Sequence, residues 1–103
     1  MRLPRTVLIC GKTWKVKKDS SVHCGGHFNG TQQEIVVGSN QSDEGVFEVF
    51  LHEVCEAVLT ERMHRYGLPY EGFENGNQMF VFNHAQFENV VKDIAMALRK
   101  LIK

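Results

Sequence analysis

Val7 to Cys10 is a short apolar run, followed by Gly11-Lys12 and then by Thr13 to Lys17. In the second run Trp14 and Val16 share one face and Lys15 and Lys17 the other, the period-two alternation of a half-buried strand. Glycine at Gly11 followed by Lys12 predicts a hairpin closed by a type II′ turn. Further on, Val22, Cys24 and Phe28 fall on one side of an extended segment, and His23, Gly25 and His27 on the other. Asn29-Gly30 marks a turn, and Glu34 to Val37 reads as another strand. Three or four short strands therefore precede residue 40, and the pattern predicts one small, mostly antiparallel sheet.

The pattern then changes period. Asn40 to Gly45 is polar, with Ser42 or Asp43 available as a helix cap. From there to about Arg65, the residues Phe47, Phe50, Leu51, Val54, Cys55, Val58 and Leu59 recur at the i, i+3, i+4, i+7 spacing of an amphipathic helix. Gly67 and Pro69 end it. Residues 68–82 are irregular, with Met79 to Phe82 as a brief strand. Asn83 caps a second helix, and Gln86 three residues later makes a capping-box variant. Its apolar stripe runs through Phe87, Val90, Val91, Ile94, Leu98, Leu101 and Ile102, with Arg99, Lys100 and Lys103 where cations suit the helix dipole. The expected fold class is α+β: a three- to four-stranded sheet packed against two helices, in a single domain over residues 1–103.

Composition narrows the function. The 103 residues are 43% hydrophobic and 23% charged, the mix of a globular chain that can bury one modest core. Lys plus Arg is 12 and Asp plus Glu is 12, so the chain lacks the basic excess expected of a nucleic-acid module. No apolar run approaches the roughly 20 residues that span a bilayer, and Val7 to Cys10 is too short for a signal-peptide core. Cys10, Cys24 and Cys55 are odd in number and make no CxxC pair, which points to free thiols in a reducing compartment. The expectation is a cytoplasmic protein with no membrane and no nucleic-acid partner.

One string carries chemistry: His52-Glu53-Val54-Cys55-Glu56, an HExxE inside the strongest helix. At about 100° per residue, His52 and Glu56 project from one face a turn apart, where imidazole and carboxylate can reach a single divalent ion. Glu53 lies at the flank, placed to hold water rather than metal, as in the HExxH metallopeptidase motif with Glu for the second His. An apolar stripe centred on Phe47, Leu51, Val54 and Val58 puts His52, Glu53 and Glu56 on the opposite side. That side faces a cleft or the second helix, or else simply solvent, since an HExxE arises by chance in a chain this long about once in a hundred.

His84 is the candidate third ligand. Stepping by three and four from it meets Phe87, Val91, Ile94 and Leu98, so it extends that helix's apolar stripe toward whatever the helix packs on. Two His and one Glu around an open fourth position is a catalytic zinc ligand set. The alternative is a partly buried histidine that merely supports the first helical turn. His23 and His27 share a strand face but stand about 13 Å apart, too far for one ion. Glu61 and His64 match the ExxH spacing of di-iron bundles, which need more helices than this chain has. Tyr66 and Tyr70 follow the helix as possible oxyanion donors or as packing residues.

With these residues in view, the chain resembles small zincin-like proteins encoded by phages and prophages. The resemblance runs through Leu3-Pro4-Arg5-Thr6 before the hairpin, Cys24-Gly25-Gly26 and Glu34 to Val37. It continues over Phe50-Leu51-His52-Glu53-Val54-Cys55-Glu56-Ala57 and Asn83-His84-Ala85-Gln86-Phe87. It implies a zincin-like core in which His52, Glu56 and His84 hold Zn²⁺ and Glu53 is the general base, acting on a peptide or protein substrate in a bacterial host cell. Glu56 departs from the commoner HExxH, and an extra carboxylate ligand lowers the positive charge felt by bound water. Imidazole and carboxylate also suit Mn, Fe, Co or Ni. Two alternatives stand beside the hydrolase: a catalytically inactive zincin-fold binding protein of phage origin, and a plain α+β domain whose HExxE is coincidental.

Overall fold

In the computed structural model, residues 2–21, 25–62, 65–67 and 78–101 are described, with backbone alone for 65–67, 78 and 79. Strands β1 (Thr6–Ile9) and β2 (Lys12–Asp19) pair antiparallel with Ile9 opposite Lys12, so the connecting loop is Cys10-Gly11. Both residues have positive φ, 50° and 82°, which makes the turn type I′ and moves it one residue earlier than Gly11-Lys12. Its backbone twist matches the right-handed twist of the strands. Placing a non-glycine residue, Cys10, in the left-handed region costs about 1 kcal/mol.

Strands β3 (Gly26–Asn29) and β4 (Glu34–Gly38) form a second hairpin. Asn29 Oδ1 accepts a hydrogen bond from the Gln32 amide across the connecting turn. This hairpin folds back so that β4 lies beside β2, giving the order β1-β2-β4-β3. The β2–β4 pairing is parallel and the other two are antiparallel, so the sheet is four-stranded and mixed. The α+β class is as expected, and β3 is left as an edge strand. Register sets Val7 opposite Trp14, and Ile35 opposite both Val16 and Phe28, on one face. That face meets the helices. The core joins Val7, Ile9, Trp14, Ile35 and Val37 to Val46, Phe50, Val54, Ala57, Val58, Val90 and Ala97. On the opposite face, Lys17 pairs with Glu34 at 2.9 Å.

Helix α1 (Asp43–Glu61) starts at Ser42, whose Oγ accepts from the Gly45 amide, and Asp43 and Glu44 occupy the positive end of its dipole. Its buried residues are Val46, Phe50, Glu53, Val54, Ala57 and Val58. The buried stripe is thus turned by about one residue from the one centred on Phe47 and Leu51, and Phe47 is 38% exposed. Glu53 falls on the core side of the helix, not opposite it. A short two-stranded ladder, β5 (Arg65–Gly67) with β6 (Gln78–Phe80), follows α1. Among the described residues no helix is long and apolar enough to cross a membrane.

Helix α2 (His84–Ala97) opens with the anticipated capping box: Asn83 Oδ1 accepts from the Gln86 amide, and Gln86 Oε1 from the Asn83 amide. A 3₁₀ turn, Arg99–Leu101, follows it. Only its second half is buried, through Val90 and Ala97 with Ile94, Leu98 and Leu101 partly covered. Phe87 and Val91 are exposed. Polar anchors show why. Cys10 Sγ donates to Asp93 Oδ2 at 3.4 Å, Arg62 Nε donates to the same oxygen, and Lys100 Nζ donates to Thr6 Oγ1 at 2.8 Å. Asp93 meets the end of β1 and Lys100 its start, so α2 runs antiparallel to β1. Lys12 Nζ reaches Glu61 Oε2 at 3.1 Å, fixing the C-terminal end of α1 over the β1–β2 turn. The two helices are therefore antiparallel, level with each other at Arg62 and Asp93.

The hydrogen bond from Arg62, with a further one from Cys10, holds the Asp93 carboxyl below its ordinary range. A depressed folded-state pKa adds stability that is complete above the unfolded value near 4 and lost as pH falls through the folded one. Asp93→Asn should therefore cost about 1 kcal/mol at pH 7, and the difference from wild type should shrink steadily below pH 4. Urea unfolding at pH 7, 5, 4 and 3, followed by fluorescence of the fully buried Trp14, checks this. A deficit that is the same at every pH would show that the charge is not its source.

Candidate metal centre

The middle of α1 carries His52, Glu53 and Glu56, each offering a ligand atom within 4.8 Å of the others. His52 Nε2 lies 3.3 Å from Glu56 Oε2, one turn apart on the same face. The imidazole is largely exposed, with 66% of its side chain accessible, and the carboxylate is half-buried at 22%. Two donors bound at about 2.0–2.1 Å to one tetrahedral ion stand about 3.4 Å apart. The observed pair already has that spacing, so its two donor atoms are close enough together to share one divalent ion. The same spacing serves an ordinary imidazole–carboxylate contact, so the metal reading also draws on what surrounds the pair.

The surroundings are built by β3. Gly25, Gly26, Glu48, Val49, His52 and Glu53 line a cleft of about 280 Å³ between the start of the edge strand and α1. Gly26 is what lets the helix lie so close. A Cβ there would stand 2.4 Å from the Val36 carbonyl oxygen and 2.9 Å from Val49 Cγ1. Gly25 has φ of 77°, a conformation that favours glycine, and its carbonyl accepts from the Gly38 amide at 2.9 Å. The Gly25-Gly26 pair and its neighbours Glu48 and Val49 were not singled out from the sequence as cleft residues. The adjacent glycines before an HExxE helix were the available signal.

Glu53 is only 4% exposed. A carboxyl on the buried side of a helix is costly to desolvate, and it interrupts a stripe otherwise made of Val46, Phe50, Val54, Ala57 and Val58. It nevertheless opens onto the cleft beside His52. Groups kept in such places cluster at functional sites. Burial and the Glu56 charge push the neighbouring Cys55 thiol up.

His84 is not brought to this group. Its side chain is 83% exposed and its Nδ1 lies 3.2 Å from Glu88 Oε1, one turn along α2. His52 lies ten residues before Arg62 and His84 nine before Asp93, on helices that run in opposite directions. At about 1.5 Å of rise per residue, the two imidazoles are roughly 25 Å or more apart. The cause is the direction of α2, whose buried half begins only at Val90 and leaves its first two turns beyond the sheet. Of the other candidates, His27 sits on exposed β3 opposite Val36, and Glu61 is engaged by Lys12. His23, His64 and Tyr70, and the side chain of Tyr66, lie outside the described residues. Comparison of the chain with protein-family models, with curated proteins and with solved structures finds no match.

Proposed function

We propose that the chain is a zinc-dependent hydrolase of the peptidase type, with His52 and Glu56 as metal donors and Glu53 as general base. The observation that carries this reading is the buried Glu53 carboxyl opening onto a cleft beside an imidazole–carboxylate pair at 3.3 Å. Zinc, when bound, acidifies water and polarises a carbonyl. Glu53, sheltered from bulk solvent, takes the proton of the attacking water and returns it to the leaving amine. His52 and Glu56 hold their geometry because the rigid helix between them is packed on the sheet through Val54, Ala57 and Val58.

The substrate in this reading is an extended peptide or one partner protein. Edge strand β3 can pair with such a backbone beside the cleft, and a cleft of about 280 Å³ accepts little more than one side chain. Cys10 and Cys55 are free thiols, which suits a bacterial cytoplasm. The rival reading is a binding protein that keeps the site without turnover. It is favoured by the 66% exposure of His52, which leaves the imidazole poorly shielded from water.

Calorimetric titration of the metal-free protein with zinc is expected to give saturable binding that weakens at least about tenfold in His52→Ala. His52 is exposed, so the substitution spares the fold. No binding by wild type, or undiminished binding by the variant, overturns the proposal.

A further inference from the structure

We propose that the cleft between β3 and α1 selects a basic side chain, Lys or Arg, from an extended peptide, with Glu48 as its charge partner. The inference deepens the peptide reading above and rests on it, whether the bound chain is cut or only held. Pairing along β3 decides which residue of the peptide enters. Directly paired residues project their side chains to the same face of a sheet. Phe28 of β3 pairs with Ile35 on the face that meets the helices, and Gly26, two residues earlier, belongs to the same face. A Cβ there would stand 2.9 Å from Val49 Cγ1 on α1. A peptide residue paired with Gly26 along the open edge of β3 therefore turns its side chain toward α1. Gly26 puts no side chain of its own in the way.

The charge that this side chain meets has one sign. Glu48, Val49, His52 and Glu53 form the helix wall of the cleft, and no Lys or Arg stands among the described residues that line it. Glu53 is buried and, in the hydrolase, takes the proton, whereas Glu48 is exposed. Elsewhere Glu34, Glu61 and Asp93 are each answered by a Lys or Arg of the chain. Glu48 makes no ion pair with a described residue. A Lys or Arg can lay its methylene stem along Val49 and keep its charged head in water beside Glu48, the division such side chains favour. An acidic side chain would face Glu48 and Glu53, and like charges reject it. Glu48 stands one turn before His52, about 6 Å along the helix, which an extended chain covers in about two residues. The basic residue thus lies about two residues from the bond held over His52 and Glu56.

Fluorescence anisotropy of labelled peptides tests this, with chelator present so that nothing is cut. The probes are short peptides randomised over uncharged residues, with Lys, Gln or Glu fixed at the centre. The Lys set is expected to bind about fivefold tighter than the Gln set, the upper range for one exposed ion pair, and the Glu set weakest. Glu48→Gln, at an exposed position that spares the fold, should bring the Lys and Gln sets within about twofold. Glu88→Gln removes the same charge from an exposed site on α2 and should keep the preference. Binding without a Lys preference, or a preference that survives Glu48→Gln, overturns the inference and leaves the peptide site standing. No binding by any set overturns both. With zinc in place of chelator, cuts in the Lys set should fall about two residues from the Lys; a bound Lys set that is never cut strikes the enzyme reading and leaves the selectivity standing.

Discussion

Glu53→Gln is expected to lower peptide hydrolysis by about 10²- to 10⁴-fold, the usual contribution of a general base, while zinc binding stays within a few-fold of wild type. The substitution keeps the shape of a side chain that is 4% exposed and removes its capacity to accept a proton. The metal donors in this account are His52 and Glu56, so the amide leaves them in place. Mass-spectrometric cleavage of a peptide library by metal-loaded protein, with and without the substitution, supplies the readout. Undiminished cleavage would remove Glu53 from the chemistry. Retained biological activity in the variant, with metal bound, would favour the binding protein over the enzyme.

The second large effect is structural. Gly26→Ala should destabilise the fold by about 3 kcal/mol, a fall in Tm of about 15 °C for a domain of this size. The added methyl would stand 2.4 Å from the Val36 carbonyl oxygen, a backbone atom fixed in the β3–β4 ladder, and 2.9 Å from Val49 on α1. Relief at Val49 requires α1 to lift from β3, which also opens the cleft at Glu53, and relief at Val36 requires the β3 backbone to shift against β4. Gly30→Ala is the control, since nothing lies within 4 Å of a Cβ there and the backbone needs no positive φ. Thermal unfolding followed at Trp14 should separate the two variants clearly. Equal melting temperatures would mean that close approach of the helix is not what Gly26 provides.

Local physics made much of this fold legible from the residues. The Asn83–Gln86 capping box depends on atoms three residues apart and appears as anticipated, and of the two candidate caps for α1, Ser42 and Asp43, Ser42 is the one used. The period-two alternation around Trp14 likewise placed the correct face of β2 inward. Errors arose where a choice between near-equivalent registers is settled by distant contacts. On α1 the large side chains Phe47 and Leu51 suggested one face. The smaller Val46 and Ala57 lie on the face that meets the sheet, because close packing against β3 and β4 rewards fit over size. That rotation is what moves Glu53 from an expected solvent-facing flank to the rim of the core.

The position of His84 was less legible still. Its spacing to Phe87, Val91, Ile94 and Leu98 predicted a buried stripe, but α2 is registered by Asp93 against Arg62 and Cys10, and by Lys100 against Thr6. Those anchors join residues far apart in the chain, and no local pattern announces them. They bury the second half of α2 and carry its first turns past the sheet. The HExxE pair, by contrast, was fully readable, because its geometry is set inside one helix.

The proposed chemistry depends on His52 and Glu56 sharing one divalent ion. A crystal structure of the zinc-loaded protein, with anomalous differences collected on both sides of the zinc absorption edge, tests it most directly. An edge-dependent peak is expected at about 2.0–2.2 Å from both His52 Nε2 and Glu56 Oε2, with Glu53 alongside but not bound. A peak seated elsewhere, or zinc-soaked crystals with no peak on α1, would contradict it.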